Sequence, residues 1–189
     1  MNRIMIVGLI IVLILVVVIA GVGAITLDIM SYTATGSETL SPTGTSAGHA
    51  LVVYNPGVSG EAKNAAVKIA SDLRTKGYKV ELAGVRNATA ANTSGYDIIL
   101  VGGPMYFGKI SSSVESYLKA ITLQKDLKLG IFATTGSSQF NNNDIASLGK
   151  QITSLLGDSP LNKNAVIKTI RSGDASNTDC ADLVSALLQ

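Results

Sequence analysis

At 189 residues, the chain is long enough for one globular domain and an appendage. Its 15 Lys and Arg residues nearly balance its 13 Asp and Glu residues, and they form no basic run, so we predict no nucleic-acid binding. The single cysteine, Cys180, and the single histidine, His49, exclude an internal disulfide, a cysteine-based metal or iron–sulfur centre and most histidine-based catalysis. Both residues are interpreted as structural, and no metal site is predicted.

The N-terminal segment, residues 1–30, is predicted to be a transmembrane anchor. Ile4–Ile25 carries no charge, and the uncharged run continues to Leu27. As a helix, about 22 residues span roughly 33 Å, which is enough for a hydrocarbon core about 30 Å thick. A signal peptide cleaved within Ala20–Ala24 is the alternative, although the apolar run is longer than a usual signal-peptide core. We therefore expect a single-pass protein of the cell membrane.

The charges beside the anchor favour an extracytoplasmic domain. Arg3 precedes the apolar run, Asp28 follows it, and the next basic residue is Lys63. The positive-inside rule then places the N-terminus in the cytoplasm. Triplets that match glycosylation acceptors begin at Asn87 and Asn92, which suits an external domain.

Residues 31–48 are predicted to be a flexible tether. Ser, Thr and Gly dominate the segment, and it shows no apolar periodicity, so it cannot bury a core of its own. A coil of about 20 residues has a root-mean-square reach of roughly 25 Å. The tether would hold the domain just off the membrane and let it reorient.

From residue 49 to residue 189, short apolar runs alternate with helical periodicity, which indicates one α/β domain. Strands are predicted at Ala50–Tyr54, Lys79–Leu82, Asp97–Gly102, Leu127–Ala133 and Ala165–Ile170. Apolar stripes at helical spacing predict helices around Ala62–Leu73, Val114–Ile121, Ile145–Leu155 and Cys180–Leu187. The second of these follows the capping-box signature Ser112-x-x-Glu115. Five strands that alternate with helices predict a doubly wound parallel sheet with right-handed crossovers.

In such sheets, ligands bind beyond the carboxyl ends of the strands, where the strand order reverses. Three loops fall there: Asn55–Gly60, Gly102–Lys109 and Thr134–Asn143. The first opens a helix, so its backbone N–H groups favour an anion such as a phosphate. The second is predicted to break the strand at Gly-Gly-Pro and to present Tyr106 and Phe107, which are suited to stacking on a flat ring.

The second loop carries a family resemblance. The stretch Gly102-Gly103-Pro104-Met105-Tyr106-Phe107-Gly108, followed by Val114 and Tyr117-Leu118, is similar to the G-x-P-x-Y-x-G loop of flavodoxins and the helix after it. The span from Ala50 to the C-terminus resembles that family. The resemblance implies the strand order 2-1-3-4-5, with FMN bound at the switch between strands 1 and 3.

The resemblance also implies the residues that would bind FMN. The phosphate would be held by Asn55, Pro56, Gly57, Val58, Ser59 and Gly60. The isoalloxazine ring would be flanked by Gly103, Pro104, Met105, Tyr106, Phe107 and Gly108 and by Thr135, Gly136, Ser137 and Ser138. Tyr106 would be its stacking partner, and a second stacking aromatic would be Phe107 or Phe140. The redox chemistry would belong to the flavin, with the protein tuning its potential.

The first loop departs from the family pattern. Flavodoxins usually show Ser/Thr-x-Thr-Gly-x-Thr there, whereas this chain has Gly57 and Gly60 where hydroxyls are expected and Val58 where glycine is expected. At about 1.5–3 kcal/mol for each hydrogen bond to a charged group, losing two would weaken FMN binding by orders of magnitude.

Two functions therefore stay open. One is a membrane-tethered electron carrier or a flavin-dependent reductase of a small acceptor such as a quinone. The other is a binding or scaffold module of flavodoxin fold that has lost FMN. Lys109, beside the second loop, is a candidate contact for an acidic redox partner protein.

Overall fold

The computed structural model describes residues 3–29, 34–122, 124, 126–140, 142–157, 159 and 164–189. Its helices are α1 (Arg3–Ile29), α2 (Glu61–Thr75), α3 (Ala88–Ala91), α4 (Ser112–Ala120), α5 (Asn142–Leu156) and α6 (Ala175–Leu188). Its strands are β1 (Ser37–Leu40), β2 (Gly48–Tyr54), β3 (Tyr78–Gly84), β4 (Ile98–Tyr106), β5 (Lys109–Ile110), β6 (Lys128–Thr134) and β7 (Val166–Ile170).

Within the described residues, these strands form one sheet in the order β1-β3-β2-β4-β6-β7, with β5 paired to β4 alone. Five neighbouring strands of this sheet are parallel to one another, in the order β3-β2-β4-β6-β7. Counted along the chain, they follow the order 2-1-3-4-5, which confirms the predicted doubly wound α/β sheet. The order reverses between β2 and β4, so the carboxyl ends of these two strands mark the switch point. The sheet has seven strands and not the five predicted; the two additional strands are β1 and β5.

The core consists of two apolar layers, one on each face of the sheet. In β4, the side chains of Ile98 and Leu100 enter one layer, and those of Ile99 and Val101 enter the other. Successive side chains of a strand point to opposite faces, so an uninterrupted apolar run is what a central parallel strand requires. Helices α2 and α6 cover the first layer, and α4 and α5 cover the second.

Cys180 lies in the first layer, on the apolar stripe of α6. Its side chain is fully buried, and burial raises the pKa of its thiol to about 12. A thiol in that state carries almost no thiolate at neutral pH. Its interpretation as a structural residue is consistent with this placement.

The predicted capping box of α4 is wrong by one residue. Ser112 is the first helical residue, and Ser111 is the N-cap, although its side chain makes no capping hydrogen bond. The Ser111 hydroxyl lies instead 3.2 Å from the amide nitrogen of Asn55. The N-cap side chain therefore makes a tertiary contact in place of a capping hydrogen bond.

The prediction of a flexible tether is wrong for residues 34–48. Ser37–Leu40 forms β1, which pairs antiparallel with β3 at the edge of the sheet, and Ala34 is 1% exposed. The Arg74 side chain also donates a hydrogen bond to the Ser41 carbonyl at 2.9 Å. Without β1, strand β3 would be an edge strand with a row of unpaired N–H and C=O groups. These backbone groups pair with Ser37–Leu40, and such pairing does not depend on the side chains of that segment. The folded domain therefore begins at about residue 34.

Helix α1 contains the stretch Met5–Gly23, with a mean hydropathy of 3.4 and no buried residue. Among the described residues it is the one helix that is long and apolar enough to cross a membrane. That finding rests on length and composition, which an N-terminal signal sequence also satisfies.

Candidate functional site

A crevice lies at the switch point, beyond the carboxyl ends of β2, β4 and β6. Its volume is about 320 Å³, and it is lined by Val58, Ser59, Glu61, Pro104, Met105, Tyr106, Thr134, Thr135 and Gly136. Cavities of about 410 and 380 Å³ lie elsewhere on the surface, so volume alone does not select this one. Its position selects this crevice as the candidate site, because open α/β sheets bind their ligands where the strand order reverses.

The crevice brings together part of the predicted set. Val58, Ser59, Pro104, Met105, Tyr106, Thr135 and Gly136 line it. The lining also includes Glu61 and Thr134, which were not predicted. Glu61 directly follows the first predicted loop, and Thr134 is the first residue of the third predicted loop, although it was not among the predicted FMN-binding residues.

The second loop is a β-hairpin rather than a break in the strand. Strand β4 continues through Gly-Gly-Pro to Tyr106 and pairs with β5, Tyr106 facing Lys109. Phe107 and Gly108 form the tip, with φ angles of 52° and 75°, as the two central residues of a type I′ turn require. The prediction of an abrupt strand end at Gly102 is therefore wrong, because the pairing partner β5 was not foreseen.

The hairpin separates the two aromatic side chains that were predicted to act together. Tyr106 points back into the crevice, where its hydroxyl accepts a hydrogen bond from the Val58 N–H at 3.5 Å. Phe107 lies at the tip and is 100% exposed, so it does not form a wall of the crevice. Phe140 is stacked under the guanidinium of Arg171, 4.2 Å from its ring centroid. Among the crevice-lining residues, Tyr106 is thus the only aromatic.

Asn55 lies behind the crevice and is fully buried. Its amide nitrogen is 3.2 Å from the Ser111 hydroxyl and donates to the Ser113 hydroxyl at 3.0 Å. Its carbonyl oxygen accepts the Gly57 N–H at 3.1 Å. These bonds fix the start of the first loop against the N-terminus of α4, so Asn55 has a positioning role here.

The first loop closes on itself. Gly57 has a φ of 73°, and a Cβ atom there would lie 3.3 Å from the Pro104 ring, so glycine allows the loop to pack against the hairpin. Four backbone N–H groups in and directly after the loop already have acceptors: Asn55 Oδ1 for Gly57 at 3.1 Å, the Tyr106 hydroxyl for Val58 at 3.5 Å, Gly57 O for Gly60 at 3.3 Å and Ser59 Oγ for Glu61 at 3.4 Å.

The charge at this end of the crevice is unfavourable to an anion. Glu61 is the first residue of α2 and lines the crevice. It therefore brings a negative charge to the helix N-terminus, whose dipole would otherwise attract a phosphate. None of the crevice-lining residues carries a positive charge.

The third loop is held by the end of the sheet. Thr135 donates its backbone N–H to the Ile170 carbonyl at 2.9 Å and its hydroxyl to the Ser137 carbonyl at 3.1 Å.

Beyond β7, Arg171 forms a two-pronged ion pair with the buried carboxylate of Asp179, at 2.9 and 2.8 Å. Burial opposes the charge of Asp179, but the hydrogen bonds from Arg171 outweigh it and lower the pKa of that carboxyl group. Because Phe140 stacks on the same guanidinium, this pair also anchors the loop.

Comparison with known proteins supports the assignment of a doubly wound α/β fold. Residues 51–174 match the family model described as a flavodoxin domain. A flavodoxin from Streptococcus pneumoniae is 14% identical, with 74% of this chain and 97% of that chain covered and a TM-score of 0.55. Oxidised flavodoxin 2 from Bacillus cereus is 17% identical over 74% and 97% of the two chains, with a TM-score of 0.56.

A flavodiiron core from Synechocystis is 14% identical over 74% of this chain and 34% of that longer chain, with a TM-score of 0.54. No curated protein sequence matches the chain. At these identities the structural likeness establishes the fold alone.

Proposed function

The chain belongs to the flavodoxin family, and from this premise we propose that it is a membrane-tethered domain that binds FMN and acts in electron transfer or flavin-dependent reduction. Helix α1 would supply the tether, and the switch-point crevice would supply the site. A bound flavin would provide the redox chemistry. The residues of the chain would hold its ring, orient it and shield it from water.

The observation that carries this proposal is the wall formed by the hairpin. Pro104, Met105 and Tyr106 line one side of the crevice, and Thr135 and Gly136 line the facing loop. Tyr106 is half-buried and held by its contact with Val58. A flat ring can therefore stack on a positioned aromatic side chain, with small residues opposite that allow close approach.

The ring end of the crevice fits a flavin, but the phosphate end does not. The Gly57, Val58 and Gly60 amides of the first loop already have acceptors. The hydroxyls of the family pattern are missing at Gly57 and Gly60, and Glu61 adds a negative charge. Three of the four loop bonds are 3.3 to 3.5 Å long and therefore weak. A phosphate could replace them only if the loop rearranged.

This mismatch favours a second candidate function, a flavodoxin-fold binding or scaffold module at the membrane that has lost FMN. In that case the closed first loop is the resting state of a domain with no flavin to hold. The contacts of Asn55, which stabilise the loop without any ligand, support it.

A flavin titration distinguishes the two candidates. The full chain, solubilised in detergent, is titrated with FMN while flavin fluorescence and the visible spectrum are followed. Saturable quenching with one flavin per chain supports the first function. Unquenched fluorescence at protein concentrations well above 100 μM would rule out an FMN carrier, because typical working affinities lie orders of magnitude below about 100 μM, and would leave the binding module.

The side of the membrane that holds the domain belongs to the same proposal. Arg3 before the apolar run and Asp28 after it favour an extracytoplasmic domain under the positive-inside rule. Protease digestion of intact and of permeabilised cells tests this, because an external domain is degraded in both. A redox partner protein would dock beside the crevice, where Lys109 is exposed.

A further inference from the structure

The chain enters the folded domain at the same edge of the sheet as the crevice. Strand β1 runs antiparallel to β3, so its first residues lie at the carboxyl end of β3. The Gly36 carbonyl accepts the Gly84 N–H at 2.8 Å, and the Ala34 carbonyl accepts the Arg86 N–H at 2.8 Å. Ala34 is therefore fixed at the carboxyl edge, next to β3 and two strands outward from β2.

Little chain separates this attachment point from the apolar helix. Helix α1 ends at Ile29, and the step from Ile29 to Ala34 covers at most about 18 Å when fully extended. A domain of about 150 residues has a radius of gyration near 15 Å and is nearly 40 Å across. The helix between Gly23, the end of the apolar stretch, and Ile29 adds about 9 Å. The whole link is still shorter than the domain, so the carboxyl edge stays nearer the membrane than the amino edge does.

The carboxyl edge also exposes apolar side chains. Phe107 is 100% exposed and Val58 is 56% exposed. Neighbouring strands are about 4.8 Å apart, and β4 lies three strands from β1, so the hairpin of β4 is roughly 14 Å across the edge from the segment that contains Ala34. Phe107 also has a φ of 52°, which is rare for a bulky residue and costs backbone energy.

We propose that the carboxyl edge of the sheet faces the bilayer, with Phe107 inserted at the lipid–water interface. Aromatic side chains are suited to that depth, and the short tether holds the hairpin within reach of it. The inference rests on the membrane tether of the proposed function and does not depend on FMN. It places the mouth of the crevice at the membrane surface, where apolar molecules dissolved in the lipid have the shortest path to it.

The absence of tryptophan from the sequence allows a direct test with single-tryptophan reporters. Phe107→Trp places the reporter at the hairpin tip. Gln189→Trp is the matched control, because Gln189 is exposed at the opposite edge, beside Lys128 and Val166, the first residues of β6 and β7. Each full-length variant is reconstituted into phosphatidylcholine vesicles with plain or with brominated acyl chains, and tryptophan emission is recorded after flotation.

We expect the emission of Phe107→Trp to shift to shorter wavelength and to be largely lost in the brominated vesicles, while Gln189→Trp is unaffected. Val58→Trp, on the same edge, should also be quenched, and it replaces Phe107→Trp if that variant does not fold. Equal, unquenched emission from both edges in floating vesicles overturns the orientation but leaves the tether. A blue-shifted Phe107→Trp emission without quenching indicates a protein partner and overturns the bilayer contact. Failure to float would show that the chain is not tethered to the membrane, and this result would overturn the inference as well.

Discussion

The hydroxyl of Tyr106 accepts the backbone N–H of Val58 at 3.5 Å, which joins the hairpin on β4 to the loop after β2 across the switch point. One side chain thus forms the aromatic wall of the crevice and also occupies a donor that a phosphate would need. The two ends of the crevice are therefore coupled. Separate substitutions can therefore test the roles of the ring, the loop and the scaffold that positions them.

Replacing Tyr106 with alanine should weaken flavin binding about tenfold or more, because stacking and ring burial contribute at least about 1.4 kcal/mol. Fluorescence titration with FMN measures the change. Phe107→Ala is the matched control, since the Phe107 ring is fully exposed, and it should leave the affinity unchanged. Equal affinities of Tyr106→Ala and the parent chain would remove Tyr106 from the site.

Riboflavin, which lacks the phosphate, should bind within about tenfold of FMN, a difference of less than about 1.4 kcal/mol. The reason is that the Gly57, Val58 and Glu61 amides already donate to acceptors of the protein. Tyr106→Phe keeps the ring but releases the Val58 N–H, so it should increase the preference for FMN over riboflavin. Parallel titrations of the two flavins measure both effects. A preference for FMN of several hundredfold in the parent chain would show that the loop rearranges to bind phosphate.

Asn55→Ala should lower the free energy of unfolding by about 2–3 kcal/mol, because it removes the partly buried hydrogen bonds that the buried Asn55 side chain makes with Ser113 and with the Gly57 N–H. Asn64→Ala, at an exposed position on α2, is the control and should change stability by less than about 0.5 kcal/mol. Chemical denaturation measures both. Similar effects of the two changes would contradict the positioning role of Asn55.

Gly84→Ala should lower the free energy of unfolding by about 1–3 kcal/mol through overpacking. A Cβ atom on Gly84 would overlap the backbone carbonyl group of Ala34, which would loosen the segment that leads into β1. Hydrogen exchange at the Gly84 and Arg86 amides, which bond to that segment, should become faster. Gly149→Ala, in the interior of α5 with no atom close to the added methyl, should instead stabilise the domain by up to about 1 kcal/mol. Unchanged exchange in Gly84→Ala would mean that β1 is not held at this point.

Asp179→Asn should lower the free energy of unfolding by about 1–3 kcal/mol at neutral pH, since it weakens the buried pair with Arg171. The pKa of Asp179 is lowered in the folded state, so its stabilising effect is complete above the unfolded pKa of about 3.9 and is lost as the pH falls through the folded pKa. The difference between variant and parent should therefore shrink below about pH 4.

Asp182→Asn is the control for this pair. Asp182 is 56% exposed and pairs with Lys168 at 3.0 Å, and exposed pairs contribute only about 0–1 kcal/mol. Denaturation at a series of pH values compares the two variants. A stability difference for Asp179→Asn that does not depend on pH would contradict an ionised pair.

The sequence by itself predicted those features that depend on local periodicity. The apolar run Ile98–Val101 predicted a central strand, because both of its faces are buried. The stripe from Cys180 to Leu187 predicted α6, because a helix returns to the same face every three or four residues. The order of these elements along the chain, with the resemblance carried by the second loop, predicted the doubly wound sheet and the position of its switch point.

The tertiary structure alone decided the features that depend on contacts between distant residues. Asn55 meets Ser111 and Ser113 across more than 50 positions, and no local pattern records that meeting. Ser37–Leu40 is polar and aperiodic, yet it becomes β1 because the open edge of β3 supplies backbone hydrogen bonds that do not depend on side chains. The same attachment places the entry of the chain and the crevice at one edge of the sheet, because it sets where the N-terminal segment meets the fold.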